Sequence, residues 1–280
     1  MTKAVSCIVT VDVEIAPDHD IDEQEQILDR LRADLQNFPV TWFCTADAAE
    51  KFRQPLRRLI GEGHEMGCHG LDHSPADDYR LMNFEEANKA ISEATERIEA
   101  ALEQRPKCFR GPRMTTSNQT QMALAAKGYR ADFSVCAQRL DLFTCGGANA
   151  LWLLSPRGAY HPAEKNPFRR GNLPIWAVNL SSIGVPFLSG ILYLAGLKFM
   201  KAFVRVLVAE AHITGNPIVY LFHSYEFARL VHFGKQPLHQ RAYISDRDRR
   251  YAMNLALLNY MCALPDVRPM TASKFLEELS

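Results

Sequence analysis

The sequence predicts an α/β fold whose mainly parallel sheet closes as a barrel. Three observations predict it. Short β-branched runs alternate with amphipathic helical stretches over nearly all 280 residues. About seven such units fit along the chain, which suits a barrel better than a doubly wound sheet. Neither a GxGxxG nor a P-loop sequence is present, so nothing argues for a nucleotide-binding sheet.

The elements follow in order. Residues 4–11, AVSCIVTV, form a buried strand. Residues 22–38 place Ile27, Leu28, Leu31 and Leu35 at helical spacing, and Pro39 stops the helix. VTWFCTA (40–46) is the second strand. The stretch 48–63 is a helix with an internal Pro55 that ends near Gly61 and Gly63, and HEMGCHG (64–70) is a short third strand. Residues 84–102 carry the clearest helical pattern, with Asn83 as N-cap and Glu86 in capping-box position. KCFRGP reads as a strand running into a loop, and SNQTQMALAAKGY as a helix closed by Gly128. Residues 133–182 are less regular, with room for short strands. Residues 187–213 read as one long apolar-faced helix, and PIVYLFHSYEF (217–227) as a strong strand with a polar tip. A helix over 248–264, the strand VRPM and a last helix capped by Thr271 complete the chain. With no repeat, low-complexity run or linker, a single catalytic domain over 1–280 is expected.

Composition narrows the function. Apolar residues make up 47% and charged residues 23%, an ordinary globular balance. Basic and acidic residues both number 32, so a nucleic-acid partner is not expected. Seven scattered cysteines without a CxxC pair argue for a reducing, cytoplasmic setting. The N-terminus lacks the pattern of a signal peptide. The most apolar stretch, 183–200, is interrupted by Pro186 and three glycines and is short for a membrane span.

In parallel α/β folds, ligands bind at the carboxyl ends of strands. Here those ends carry Asp12 and Glu14, then His69 with His73, then Arg110 and Arg113, and finally His223. Asp12 and Glu14 stand two apart, so they share one face of a strand. His64 and His69 imitate the HExxH zinc-protease motif with one residue too many, which would turn the second His off the shared helical face. Two histidines and one carboxylate form the three-ligand set of a catalytic metal site. The second carboxylate would serve as base, Arg110 would pair with it, and His223 would act as acid.

These segments resemble the polysaccharide deacetylases, or NodB-homology carbohydrate esterases. TVDVE resembles their first motif, GHEMGCHGLDH the second, FRGP the Arg-x-Pro motif and VYLFHSYEF the final one, in the family's order. TWFCTADAAEKF is similar to the family's second strand and following turn. The resemblance implies a distorted, NodB-like (β/α) barrel, a divalent metal and hydrolysis of an N-acetyl amide on a sugar. By position it makes Asp12 the base, His69 and His73 metal ligands, Arg110 the partner of the base and His223 the acid. Asp132, in GYRADFSV, matches the acidic residue that tunes the catalytic His. The usual metal carboxylate falls on Val13, which binds no metal, so the ligand role passes to Glu14, as in an Asp-x-Glu branch of the family. Zinc is the expected ion, with cobalt, nickel, manganese or iron able to use the same donors.

The expected substrate is an N-acylated sugar or glycan precursor. Two alternatives have their own marks. A metal-independent amidohydrolase on a small cyclic amide, allantoinase-like, would lack the ion; a carbohydrate-binding pseudoenzyme would bind sugar without acyl release. The side chain of Arg113 is expected to face solvent, while its backbone N–H is aimed to hold an oxyanion. The apolar helix at 187–209 is expected to pack on the barrel, with a wall for a lipid-linked sugar as the other reading.

Overall fold

The computed structural model describes residues 4–36, 38–137, 150–232 and 246–279. β1 (Val5–Val13) leads to α1 (Ile21–Asp34), where the Asp20 carboxylate accepts from the first-turn N–H groups of Asp22 and Glu23. β2 (Val40–Cys44), α2 (Ala46–Lys51), α3 (Arg53–Gly61) and β3 (Glu65–Cys68) follow. The single helix expected over 48–63 is two helices. The chain breaks at Phe52, which leaves Pro55 in the first turn of α3, where no intrahelical N–H is needed. α4 (Phe84–Leu102) has the expected capping box, with Asn83 and Glu86 each accepting from the other's backbone N–H.

Next come β4 (Cys108–Phe109), α5 (Asn118–Ala126) and β5 (Ala131–Asp132). The irregular middle holds short strands: β6 (Ala159–Tyr160), β7 (Pro162–Ala163), β8 (Asn166–Arg170), β9 (Trp176–Val178), β10 (Ser182–Ile183) and β11 (Val185–Pro186). α6 (Ser189–Thr214), β12 (Ile218–His223), α7 (Arg247–Cys262), β13 (Val267–Pro269) and α8 (Ala272–Leu279) complete the order.

Among the described residues, β12-β1-β2-β3-β4-β5-β9 run parallel in that spatial order. β6 adds an antiparallel edge to β9, and β13 pairs with the start of β1. The sheet curls into a half-barrel. No ladder joins β9 to β12; the gap is spanned by single contacts. The Ser181 N–H donates to the Val219 carbonyl at 3.2 Å, the Val219 N–H donates to Ser181 Oγ at 2.9 Å, and Leu188 bridges Leu221.

Strand alternation divides the core in two. Val5, Cys7, Val9, Val11 and Val13 point outward into the layer between sheet and helices, together with Leu28, Leu31 and Ile91. Ile8 points inward, with Phe43, Phe133, Val219 and Leu221. Phe275 and Leu276 of α8 join that inner cluster, so the terminal helix covers the amino ends of the strands. The opposite mouth is left to polar side chains. α6 is broken at Gly196 (φ 84°, ψ 165°), and Met200, Phe203, Val204 and Leu207 of its longer part are buried in the outer layer. Packing therefore accounts for this helix, and the lipid-wall reading gains no support. No helix among the described residues is long and apolar enough to cross a membrane.

Candidate active site

The polar strand ends meet at the carboxyl mouth. Asp12 and Glu14 project from the end of β1 on the inner face, with Val13 on the outer one, so the side chain at the family's usual ligand position turns away from the site. Asp12 is the register neighbour of His223 on β12. Its Oδ2 lies 3.7 Å from His69 Nε2 and 4.0 Å from His223 Nε2.

Arg110 follows β4 and is fully buried. It donates to Asp12 Oδ1 at 2.6 Å, to Thr10 Oγ1 at 3.0 Å and to the Phe133 carbonyl at 3.3 Å. The ring of Phe43 lies against the guanidinium, 4.4 Å from its centroid. A buried carboxylate and a buried guanidinium thus neutralise one another in a fixed geometry, and Asp12 keeps Oδ2 free to face the histidines.

The loop after β3 sets the two imidazoles. Gly70 takes φ +80°, and a Cβ there would fall 2.4 Å from Asp77 Oδ2, the atom that accepts the Leu71 N–H at 2.8 Å. His73 itself adopts φ 62°, an uncommon conformation for a residue with a side chain. His69 Nδ1 lies 2.7 Å from the Arg110 carbonyl, which fixes Nδ1 as the N–H and leaves Nε2 facing Glu14. Glu14 Oε2 is 3.3 Å from His69 Nε2 and 3.4 Å from His73 Nε2. That oxygen is buried and accepts no aligned hydrogen bond. One donor atom from each of Glu14, His69 and His73 lies within 4.8 Å of the others. A buried carboxylate oxygen facing two ring nitrogens without a donor is what a divalent cation would satisfy, so these residues fit such an ion.

The charges agree with this layout. Burial alone would raise the Glu14 carboxyl, but His73, the contact with His69 and the charge of His223 outweigh it and bring it down to about 2. Burial pulls His73 below its ordinary value. His69 is raised: burial opposes, and Asp12 and Glu14 prevail. Burial also opposes at His223, but Glu226 pushes it up to about 9.

Two expected side chains lie elsewhere. Asp132 does not touch His223. Its Oδ2 accepts from Thr116 at 2.8 Å and Gln121 at 3.0 Å, and its Oδ1 accepts from the Ser134 N–H at 2.9 Å. β5 ends there, and the Asp132 carboxylate ties that end to the loop at 116 and to α5. The group on His223 Nδ1 is Glu226 Oε1, at 2.8 Å. Sequence reasoning passed over Glu226 although it stands in the quoted segment HSYEF; an acid three residues beyond a strand-ending His is the signal that could have found it. The Arg113 side chain does not face solvent either. It donates to the carbonyls of His73, Ser74 and Asp77, bracing the loop that carries His73. Its backbone N–H points into the site and donates to His73 Nε2 at 3.3 Å.

Residues 15–131 match the family model described as polysaccharide deacetylase. The matched segment is a polysaccharide deacetylase domain. It holds His69, His73 and Arg110, while Asp12, Glu14 and His223 lie outside it. A peptidoglycan deacetylase of Helicobacter pylori is 25% identical over 99 residues, 35% of this chain. The match spans only 33% of that relative's length. Among solved structures, a Mycobacterium smegmatis protein provisionally assigned to the polysaccharide deacetylases superposes with TM-score 0.66 at 16% identity, over 99% of this chain and 91% of the other. An allantoinase gives 0.60 at 14% identity over 97% and 89%. A Bacillus anthracis family-4 carbohydrate esterase pseudoenzyme gives 0.51 at 10% identity over 99% and 66%. At these identities the superpositions show the polysaccharide deacetylase fold alone, and they span more than one activity.

Proposed function

We propose that this chain is a hydrolase that removes an acetyl or similar acyl group from the amide of an amino sugar or glycan precursor, with one divalent cation held by Glu14, His69 and His73. The observation that carries the reading is the donorless, buried Glu14 oxygen set between two imidazoles, with Asp12 and His223 directly beside them. The family of the matched segment and the peptidoglycan deacetylase relative support the acylated glycan. Val13 at the usual second-aspartate position, followed by Glu14, supports assignment to the Asp-x-Glu branch. Nitrogen and oxygen donors suit zinc first, and cobalt, nickel, manganese or iron after it. The free state of the six described cysteines supports a cytosolic setting.

A cation in this position supplies Lewis acidity to water and to the acyl carbonyl. The chain's own groups do the rest. Asp12 Oδ2 accepts the proton of the attacking water while Arg110 holds Oδ1. The Arg113 N–H, which donates to His73 Nε2 in this structure, would be free to support charge on the carbonyl oxygen once that nitrogen turns to a cation. His223 keeps its proton at neutrality because Glu226 holds Nδ1, and gives it from Nε2 to the departing nitrogen.

The test is metal content by elemental mass spectrometry, followed by an acyl-release screen over N-acylated amino sugars. Near one equivalent in the wild type, lost in the His69→Ala, His73→Ala protein, is expected. No metal after reconstitution with zinc and cobalt overturns this reading in favour of a metal-free amidohydrolase or a sugar-binding protein.

A further inference from the structure

Glu226 is fully buried, and both of its oxygens are engaged. Oε1 accepts from His223 Nδ1 at 2.8 Å, from the His223 backbone N–H at 3.1 Å and from Ser189 Oγ at 2.7 Å. Oε2 accepts from the Tyr193 hydroxyl at 2.6 Å. Tyr193 is itself held, because Asn254 Nδ2 donates to its oxygen at 2.6 Å and Asn254 Oδ1 accepts from Tyr220 at 2.7 Å. A chain of hydrogen bonds therefore runs from Tyr220, inside the wall of β12, through Asn254 of α7 and Tyr193 of α6 to the imidazole at the mouth.

Ser189 and Tyr193 both belong to the short part of α6 that precedes Gly196. At that glycine the backbone takes φ 84° and ψ 165°, so the leading turns are not continuous with the rear helix anchored by Met200, Phe203 and Val204. The leading turns are held by buried Leu192 and by the Leu188–Leu221 bridge, and Ser189 and Tyr193 tie them to the Glu226 carboxylate. A carboxylate that only capped the Ser224–Phe227 turn would need no donors from a separate helix.

We propose that Ser189 and Tyr193 are positioning residues that act on His223 through Glu226, so that the leading turns of α6 set the aim of the proton donor. This rests on the reading of His223 as the acid. Charge-assisted hydrogen bonds to a buried carboxylate are short and directional, and loss of one donor lets the carboxylate rotate and carry the imidazole with it.

The test reads His223 without substrate. In full-length protein labelled with 15N-histidine and kept metal-free, the exchange rate of the His223 Nδ1 proton and the imidazole 15N shifts are measured. The proteins compared are the wild type, Tyr193→Phe, Glu226→Gln and the double variant. Tyr193→Phe is expected to speed exchange about tenfold, the loss of one hydrogen bond to a charged group. In the Glu226→Gln background the same change is expected to add less than about twofold, because the two act in series. Ser189→Ala gives the same comparison if Tyr193→Phe does not fold. Equal effects in both backgrounds, or no effect of either variant in folded protein, overturn the proposal. Absence of acyl release would sink the proposed reaction and leave this coupling standing; absence of coupling would leave acyl release untouched.

Discussion

His69 Nδ1 lies 2.7 Å from the backbone carbonyl oxygen of Arg110. One residue thus does two things at once: its side chain orients Asp12, the proposed base, and its carbonyl sets the tautomer of a proposed ligand. In the neutral ring, with the proton on Nδ1, His69 Nε2 faces Glu14 as a lone pair at 3.3 Å. Two electron-rich atoms at that distance repel unless a proton or a cation lies between them.

Metal affinity is therefore expected to depend on Glu14 as strongly as on either histidine. Glu14→Ala should weaken cobalt binding by more than the roughly 10–100-fold typical of groups behind the ligands. Competition against a chromophoric chelator measures it, and an unchanged affinity would remove Glu14 from the ligand set.

Stability of the metal-free protein should depend on pH through two groups. His223 is raised to about 9, so its contribution is fully present below its unfolded value and is lost as pH rises through about 9. Glu14 is lowered to about 2, so its contribution is present above its unfolded value and is lost as pH falls toward about 2. The His223 effect is on the order of 3 kcal/mol. Melting temperatures in chelator should fall from about pH 6.5 to about pH 9, with the fall reduced in His223→Gln, where only the raised His69 still contributes to it.

Arg110→Met should destabilise the fold by about 3–5 kcal/mol, because Asp12 would remain buried without its partner. Urea unfolding gives the value. Arg110→Met, Asp12→Leu should recover part of it while remaining inactive.

Asp132→Asn separates the two carboxylates near β5 and β12. It should cost about 1–3 kcal/mol through Thr116, Gln121 and Ser134. It should leave the titration of His223 where it is, while Glu226→Gln moves it down. A shift of His223 in Asp132→Asn comparable to that in Glu226→Gln would restore the role expected from the family pattern.

Gly70→Ala should destabilise by about 1–2 kcal/mol from its left-handed backbone alone. The added methyl would also press on Asp77, which braces the His73 loop. Metal affinity should fall with it, which calorimetry on the reconstituted protein can follow.

The sequence made some of this legible for identifiable reasons. β1 announced itself through Val5, Val9 and Val11, and α4 through its apolar stripe and the Asn83–Glu86 cap. The mouth residues were found because acids and bases that interrupt apolar runs are rare there. β5 and β9 are only two and three residues long, too short for any periodicity to register. Asp132 was misplaced because its partners Thr116 and Gln121 come from a separate loop and helix, a tertiary fact with no local mark. The backward fold of Arg113 onto the carbonyls of 73–77 depends on positive φ angles at Arg113 and Met114, which no side-chain pattern forecasts.

Asp12 and His223 sit opposite one another in the register of two neighbouring parallel strands. The proposed base and the proposed acid therefore share one piece of backbone lattice, and their separation is a gauge that side-chain changes nearby cannot reset. Adaptation to new substrates must then come from the loops above the mouth, since the reach between proton acceptor and proton donor is dictated by strand pairing itself.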